Sequence, residues 1–590
     1  MPSIISSRIA ASVAIAALIV LAAPTALDTY TLNILIRAFF VAIVAVTVDV
    51  LWGYSGTLTF GQSAFFGLGA YAVAITFTQL GFTPATIVLA IVITIIGSML
   101  IAGLVSWLSF YPGSTPLYAS VVSLVLPIVV VQLLYSGGTF TGSSSGLVGF
   151  ESFDLSVENW FRGAGLAAVV VAFLARIAVA SDAGRILTAL RDNEMRCYYL
   201  GLDAARLRIL LLVICGAVAG LAGAGYGAFG GVAAPELASF VFGTQLVIMV
   251  ALGGRGTVFG AILGALTIEM ASAYLSSSLP FVWELIVGIA FVAVIVALPG
   301  GLAGVAMRVL SRRGTETAVP STTRLGTASV QPVRADDEIM VEARNVSRHF
   351  GSLSVLSGVT FTARRGELVS LVGPNGAGKT TLMRCLADGR ERSGGEVHIA
   401  GASIGRLPPH RVVALGLGRK FQTASVFETM TVADCLKVAR ARCERLSLFV
   451  SQDRLALPPA ARDVVESSGL ADRLSEEARL LSHGLKQALE LAMVLALEPQ
   501  IILLDEPTAG LTRSERMRFG EILIRLAVDM RLCVLVVEHD LDFVREISSR
   551  IIVLHQGRIA LDGSVAEVVE APLVREIYTG GAARNEKEPA

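Results

Sequence analysis

The sequence predicts two fold classes in series: an all-α polytopic membrane domain, then an α/β domain. Three observations lead there. Of 590 residues, 54% are hydrophobic and only 16% charged, with a mean hydropathy of +0.70; a soluble chain of this size needs far more polar surface to cover its cores. The apolar excess lies in runs of about 20 residues, the length that crosses a bilayer, and these are confined to residues 1–308. Beyond residue 338 the pattern changes to short apolar strands alternating with amphipathic helices, the signature of an α/β domain.

The runs place spans near Ile9 to Leu27, Leu32 to Trp52, Ala64 to Leu80, Thr86 to Phe110, Leu117 to Tyr135 and Gly165 to Ala180. After a polar stretch, four more lie near Ile209 to Phe229, Phe240 to Gly253, Val258 to Leu275 and Val282 to Leu298, for about ten in all. Charge orients them. The stretch Asp182 to Arg208 carries Arg185, Arg191, Arg196, Arg206 and Arg208, whereas Ser136 to Arg162 carries Glu151, Asp154 and Glu158 against Arg162. Basic loops stay cytoplasmic, so the first faces the cytoplasm, the second faces outward, and an even span count returns the chain to the cytoplasm at Arg308. Residues 1–27 also have the length of a signal peptide, but Arg8 makes a weak n-region and further spans follow directly.

Residues 309–338 lose periodicity and fill with Thr, Ser, Pro, Gly and charge, a flexible linker. Residues 339–582 form the second domain and 583–590 a disordered tail.

Composition also excludes. Basic and acidic residues balance at 47 each, which argues against a nucleic-acid partner. No lysine or histidine precedes Arg308, so the membrane domain has no histidine metal site or proton relay. The six cysteines, without CxxC pairing, read as free thiols of a reducing compartment.

Chemistry concentrates in the second domain. Gly373, Pro374, Asn375, Gly376, Ala377, Gly378, Lys379 and Thr380 follow the apolar strand Leu368 to Val372 and open a helix. This is a phosphate-binding loop in its required setting: glycines let amides curl around a phosphate, the helix N-terminus adds a positive field, Lys379 neutralises charge and Thr380 can ligate magnesium. The strand Ile501 to Leu504 runs into Asp505 and Glu506, suited to holding the magnesium shell and to polarising the attacking water. A further strand, Cys533 to Val537, leads to His539, a candidate γ-phosphate contact. Alone, each is equally a structural polar residue at a strand end.

Between these pieces LSHGLKQALE, Leu481 to Glu490, resembles the signature motif of the ATP-binding cassette (ABC) superfamily. Phe350, Gln422 in GRKFQTASVF and AGLT (Ala509 to Thr512) match other elements in order, over Ile339 to about Tyr578. The resemblance implies ATP and Mg2+ as cofactors. It carries nucleotide contacts to Phe350, stacked on adenine, to the loop through Thr380 and Thr381, to Asp505, and to Ser482 and Gly484, which bind the nucleotide held by a partner cassette. Catalytic roles fall to Glu506, His539 and Gln422, and the metal ligands to Thr380, Gln422 and Asp505. Two positions depart from the pattern: Leu485 replaces the usual glutamine of the signature and Thr512 the usual aspartate.

Val48 to Ala72, VDVLWGYSGTLTFGQSAFFGLGAYA, looks like the glycine-rich signature of permeases in the branched-chain amino acid and amide (urea) importer family. The basic stretch from Ser181 and ALGGRGTVFGAILGA from Ala251 resemble that family's coupling segment and later helix. By this resemblance the chain is a type II importer-like permease fused to its ATPase in the bacterial inner membrane, taking up branched-chain amino acids or, alternatively, urea or short amides. Its expected partners are an extracytoplasmic solute-binding protein, a second permease and ATPase or a second copy of this chain, and membrane lipid. Asp192, Asn193 and Glu194 are expected to begin or flank a short helix docking near Gln422. Asp49, Trp52, Tyr54 and Gln62 are candidate substrate-path residues, with close packing of small residues the competing reading for this stretch. For the intramembrane charges Arg37 and Asp49, mutual pairing and substrate contact are both open. An exporter half-transporter and a non-transporting membrane ATPase are rival classes; the first has six very long helices, against about ten spans with short loops here.

Overall fold

The structure, a computed structural model, describes residues 3–110, 116–278, 300–305, 324–327, 338–444 and 454–574, with a few isolated positions between 282 and 293. They fall into two compact units, one of residues 1–191 and 204–319 with a short piece at 448–450, the other of 192–203 and the remaining C-terminal residues.

The N-terminal unit is a helical bundle: α1 Ser3–Ala22, α2 Thr29–Asp49, α3 Gln62–Leu80, α4 Pro84–Ser109, α5 Pro116–Ser136, α6 Val157–Ala180, α7 Asp182–Asp192, α9 Ala204–Gly230, α10 Phe240–Gly253 and α11 Val258–Ser278; α8, Glu194–Tyr199, belongs to the other unit. Helices α1 to α6 and α9 to α11 occupy the first nine expected spans; the tenth, Val282 to Leu298, lies outside the described residues apart from isolated positions. Among the described residues, seven helical spans are long and apolar enough to cross a membrane, and α10 is shorter. Side-chain caps start them where the chain turns polar: Asp28 accepts the Thr31 N–H of α2, and Thr83 and Thr86 form a reciprocal box on α4.

Helix α2 is central, with 72% of its apolar window buried against 22% for α4. Helices α3 and α9 touch through backbone: a Cβ on Gly69 would lie 1.9 Å from the Gly220 carbonyl oxygen, and one on Gly223 1.8 Å from that of Phe66. This is small-residue packing, the device that joins helices in lipid, where no hydrophobic effect drives them together. At its end α2 widens into a π-turn, Val50–Tyr54, closed by the Ser55 N–H on the Val50 carbonyl at 3.3 Å.

The C-terminal unit has two sheets. Four antiparallel strands run in the order β5 (Leu353–Arg364), β4 (Ile339–Phe350), β7 (Gly394–Ile399), β8 (Ala402–Ser403); β1 and β2 are two-residue strands of the bundle, Leu147–Val148 and Val232–Ala233. Six strands run in the order β14 (Arg558–Ser564), β13 (Arg550–His555), β6 (Leu368–Val372), β12 (Cys533–Val537), β11 (Ile501–Asp505), β9 (Leu417–Lys420), parallel except for β14 at the edge. The central strands β6, β11 and β12 are buried along their whole length, which is why they read as unbroken apolar runs rather than alternating ones.

One stretch differs from expectation. Within the expected linker 309–338, Arg324–Thr327 forms a strand, β3, paired in parallel with β10, Arg454–Leu457. Its backbone is satisfied by a partner far along the chain, which local composition does not register. The tail 583–590 lies outside the described residues.

Candidate functional site: a phosphate loop at the carboxyl edge of the parallel sheet

Parallel strands end together, so residues just past them share one edge, where α/β folds bind ligands. Strand β6 leads into Gly373, β11 ends at Asp505 beside Glu506, and β12 leads into Glu538 and His539. The loop closes onto α12, Lys379–Ala387, with Gly378 as its N-cap. Two glycines are obligatory. Gly373 has φ +152° and a Cβ there would fall 2.1 Å from the Leu554 carbonyl; Gly378 has φ +101° and its Cβ would lie 2.8 Å from Leu356 Cδ2. Gly376 also has a positive φ, +81°, but a Cβ there meets nothing within 4 Å, so the loop opens at that point.

Lys379 Nζ folds back onto the carbonyls of Gly373, 2.7 Å away, and Pro374, 3.0 Å away. Burial lowers its pKa below the ordinary lysine value, against the pull of the Glu506 and Asp505 carboxylates. Thr380 Oγ1 donates to Asp505 Oδ1 at 3.3 Å. Burial raises the Asp505 carboxyl, with the Arg419 guanidinium opposing it. Thr381 follows in the first turn of α12. A hydroxyl beside one carboxylate is a hard-oxygen pair, and among the described residues no three His, Cys, Asp or Glu groups converge to hold a metal. That fits magnesium, which takes one or two protein oxygens and completes its shell with water and phosphate.

Glu506 sits in the left-handed region at φ +44°, a strained backbone for a non-glycine residue, and its N–H is pinned to the Val537 carbonyl at 2.9 Å. Its Oε2 accepts from Gln422 Nε2 at 2.7 Å. The Gln422 amide nitrogen is thus engaged by Glu506. His539 is 61% exposed at the same edge; its neighbour Glu538 is buried and accepts the N–H and hydroxyl of Thr508 at 3.2 and 2.7 Å. Phe350, at the end of β4, is half exposed, with the Arg348 guanidinium 4.4 Å above its ring.

The signature turn is partnered within its own surroundings. Ser482 caps the helix His483–Leu495, accepting from the Leu485 N–H at 3.4 Å, and a Cβ on Gly484 would come 3.1 Å from Glu515 Oε1. His483 Nε2 lies 3.3 Å from the Ala509 carbonyl. Ser482 is exposed.

The sequence reading missed a charge cluster behind the site. Arg196, fully buried, donates through Nη1 to the Arg419 carbonyl at 3.0 Å and to Glu490 Oε1 at 3.2 Å, and through Nη2 to the Glu490 carbonyl at 3.1 Å. Glu490 also accepts the Phe421 N–H at 3.0 Å and faces Lys420 Nζ at 3.7 Å. Burial lowers the pKa of Lys420. Arg419 donates to the Tyr199 hydroxyl at 3.1 Å and lies over the Tyr199 and Phe421 rings. Asn193 caps α8 and donates to Ser425 at 2.9 Å, while Asp192 accepts from the Thr429 N–H and hydroxyl at 2.9 and 2.6 Å. The short helix expected around Asp192 to Glu194 is therefore present, and its partners flank Gln422. The available signal was Glu490, a lone carboxylate inside the apolar run ALELAMVLAL.

In the helical unit, Asp49 is buried; its Oδ1 accepts the Gly256 N–H at 2.6 Å and its Oδ2 has no hydrogen-bond partner among the described residues. Arg255 lies 4.7 Å over the Trp52 ring and donates to the Trp52 carbonyl at 3.0 Å. Tyr54 is half-buried. Gln62, also buried, accepts from Thr47 at 3.3 Å, and its Nε2 has no partner among the described residues. Gly53 has a packing reason of its own, since a Cβ there would lie 2.5 Å from Asp49 Oδ1. Mutual pairing of Arg37 and Asp49 is not observed: twelve residues apart on one helix, they are separated by about 18 Å. The arginine next in the chain to the Asp49 partner Gly256 is Arg255.

Residues 30–307 match the family described as branched-chain amino acid transport system / permease component, and residues 356–509 match the family ABC transporter. The C-terminal part is 32% identical, over 252 residues, to the high-affinity branched-chain amino acid transport ATP-binding protein BraF of Pseudomonas aeruginosa, covering 41% of this chain and 98% of that protein. It is likewise 32% identical over 251 residues to LivG of Escherichia coli, with the same description, covering 41% of this chain and 98% of LivG. Among solved structures, a nucleotide-free ATP-binding cassette from an ABC transporter is 24% identical with a TM-score of 0.36, covering 41% of this chain and 98% of that one.

Proposed function

We propose, for a chain that belongs to the ABC transporters and fuses a branched-chain amino acid type permease to an ATP-hydrolysing cassette, that it imports branched-chain amino acids across the bacterial inner membrane. The observation that carries this reading is the pairing of the two matches in one polypeptide, the permease family over 30–307 and, beyond it, a cassette akin to BraF and LivG. ATP is the substrate of the cassette. The 373–381 loop cradles its phosphates and Lys379 offsets their charge. Phe350 stacks on adenine with the ring face that Arg348 leaves free. Thr380, Asp505 and the Gln422 amide oxygen would hold Mg2+, which would supply neutralisation of the charge on the phosphates. Glu506 orients and deprotonates the attacking water while Gln422 holds its carboxylate, and His539 contacts the γ-phosphate.

Ser482 and Gly484 serve the nucleotide of a second cassette, so the working assembly has two cassettes and two permeases, fed by an extracytoplasmic solute-binding protein. Segment 192–203, packed against the strand that leads to Gln422, transmits cassette closure to the membrane helices. Asp49, Trp52, Tyr54 and Gln62 line the cytoplasmic end of the solute path. The test is uptake by the reconstituted assembly. Vesicles should accumulate leucine rather than urea, and Lys379→Ala should abolish accumulation; uptake at the original rate in that variant would overturn the reading.

A further inference from the structure

Helix α2 is tied at both ends to the stretch 256–274, which α11 occupies from Val258. Thr31 Oγ1 lies 3.2 Å from the Tyr274 hydroxyl, and Asp49 Oδ1 accepts the Gly256 N–H. The stretches 31–49 and 256–274 are equally long and run in opposite directions, so the two ties fix the register between them. Arg37 then stands level with Ile268 and Glu269. Helix α9 closes the third side: a Cβ on Gly225 would lie 2.4 Å from Phe40 Cε1, which sets Tyr226 beside the turn of α2 that holds Arg37. The same three groups act on one another electrostatically.

Two facts make this cluster unusual. Arg37 is exposed and Glu269 and Tyr226 are half-buried, although Arg37 lies about 12 Å along α2 from its first residue, within a span of mean hydropathy 2.5. Among the described residues, moreover, neither Arg37 nor Glu269 makes a hydrogen bond or a direct ion pair. Opposite charges at membrane depth either close on each other or face a polar path. Arg37 and Glu269 stand at one level on neighbouring helices without closing on each other.

We propose that Arg37 and Glu269 form a solute subsite for a zwitterion, the carboxylate held in the fork of the Arg37 guanidinium and the ammonium on Glu269, with Tyr226 beside them. A planar guanidinium pairs a carboxylate through two parallel hydrogen bonds, and a carboxylate opposite it takes the ammonium. An amide or urea offers neither charge. The assignment deepens the import reading above and rests on it.

The experiment measures accumulation of labelled L-leucine by vesicles holding the full chain and the subunits it assembles with. The competitors are 3-methylbutylamine, which lacks the carboxylate, and 4-methylpentanoate, which lacks the ammonium. Wild type should be inhibited weakly by both. Arg37→Gln and Glu269→Gln should each raise the leucine concentration for half-maximal uptake about tenfold or more. The selectivity changes should cross: Arg37→Gln loses discrimination against the amine, Glu269→Gln against the acid. A misfolded protein does not produce that crossing. Wild-type leucine dependence and selectivity in both variants overturns the subsite while leaving the import reading intact. Wild type that moves urea but not leucine overturns both. A phosphatidylethanolamine headgroup presents the same two charges; a variant effect that vanishes in vesicles of phosphatidylglycerol alone would assign the cluster to lipid and overturn the solute assignment.

Discussion

Changing Arg196 to Met and Glu490 to Gln perturbs one buried cluster from opposite sides, with unequal expected costs. Breaking a buried ion pair by deleting one partner costs about 3–5 kcal/mol, because the survivor keeps its desolvation penalty. Arg196→Met leaves the Glu490 carboxylate facing Lys420 at 3.7 Å and accepting from the Phe421 N–H at 3.0 Å, so its cost belongs at the low end, about 3 kcal/mol. Glu490→Gln leaves two cations in the same enclosure, both with side chains at 0% exposure, and belongs at or above the high end, about 5 kcal/mol. Lys420, already lowered by burial, then gives up its proton, which limits the excess. The gap of about 2 kcal/mol is read from urea midpoints of the purified chain, followed by loss of a bound fluorescent nucleotide analogue. Equal shifts in the two variants, or a shift below about 1 kcal/mol for Arg196→Met, would refute a charged, mutually dependent cluster.

Glu506→Gln should cut phosphate release about 10²–10⁴-fold while nucleotide binding persists, as expected on removing a general base; turnover near wild type would take that role from Glu506. Gly378→Ala forces a Cβ into φ +101° and onto Leu356 and should cost about 1–3 kcal/mol in unfolding free energy, with weaker nucleotide binding in a titration. Burial raises the Glu538 carboxyl above its ordinary value, with the Thr508 hydrogen bonds opposing it. A raised folded pKa contributes stability that is present below the unfolded pKa and lost as pH rises through the folded one. Glu538→Gln, still able to accept from Thr508, should therefore unfold at higher temperature than wild type at pH 8, with the difference shrinking toward pH 4. A pH-independent difference would show that Glu538 titrates normally.

What the sequence made legible was whatever local order dictates. The loop 373–380, the strands Leu368–Val372 and Cys533–Val537 and the carboxylates at the end of Ile501–Asp505 depend on neighbours in the chain, and the structure has all of them in place. The hidden features rest on distant partners. Arg196 meets Glu490 across 294 positions, and Glu269 matters only once α11 lies against α2. Strand β3 is polar and pairs with β10 from well beyond it, so its own composition reads as linker. Arg37 and Asp49 were visible as intramembrane charges, but their partners were not, because a helix fixes which residues share its face and not what lies opposite.

The placement of residues 192–203 in the C-terminal unit bears on how such a chain can be cut or recombined. A protease site or gene split engineered around residues 309–338 separates two polypeptides on paper, yet the first would still own the arginine that fills a hole in the second. Grafting a foreign cassette onto this permease, or the reverse, leaves that hole mismatched unless positions 192–203 travel with the cassette they fit.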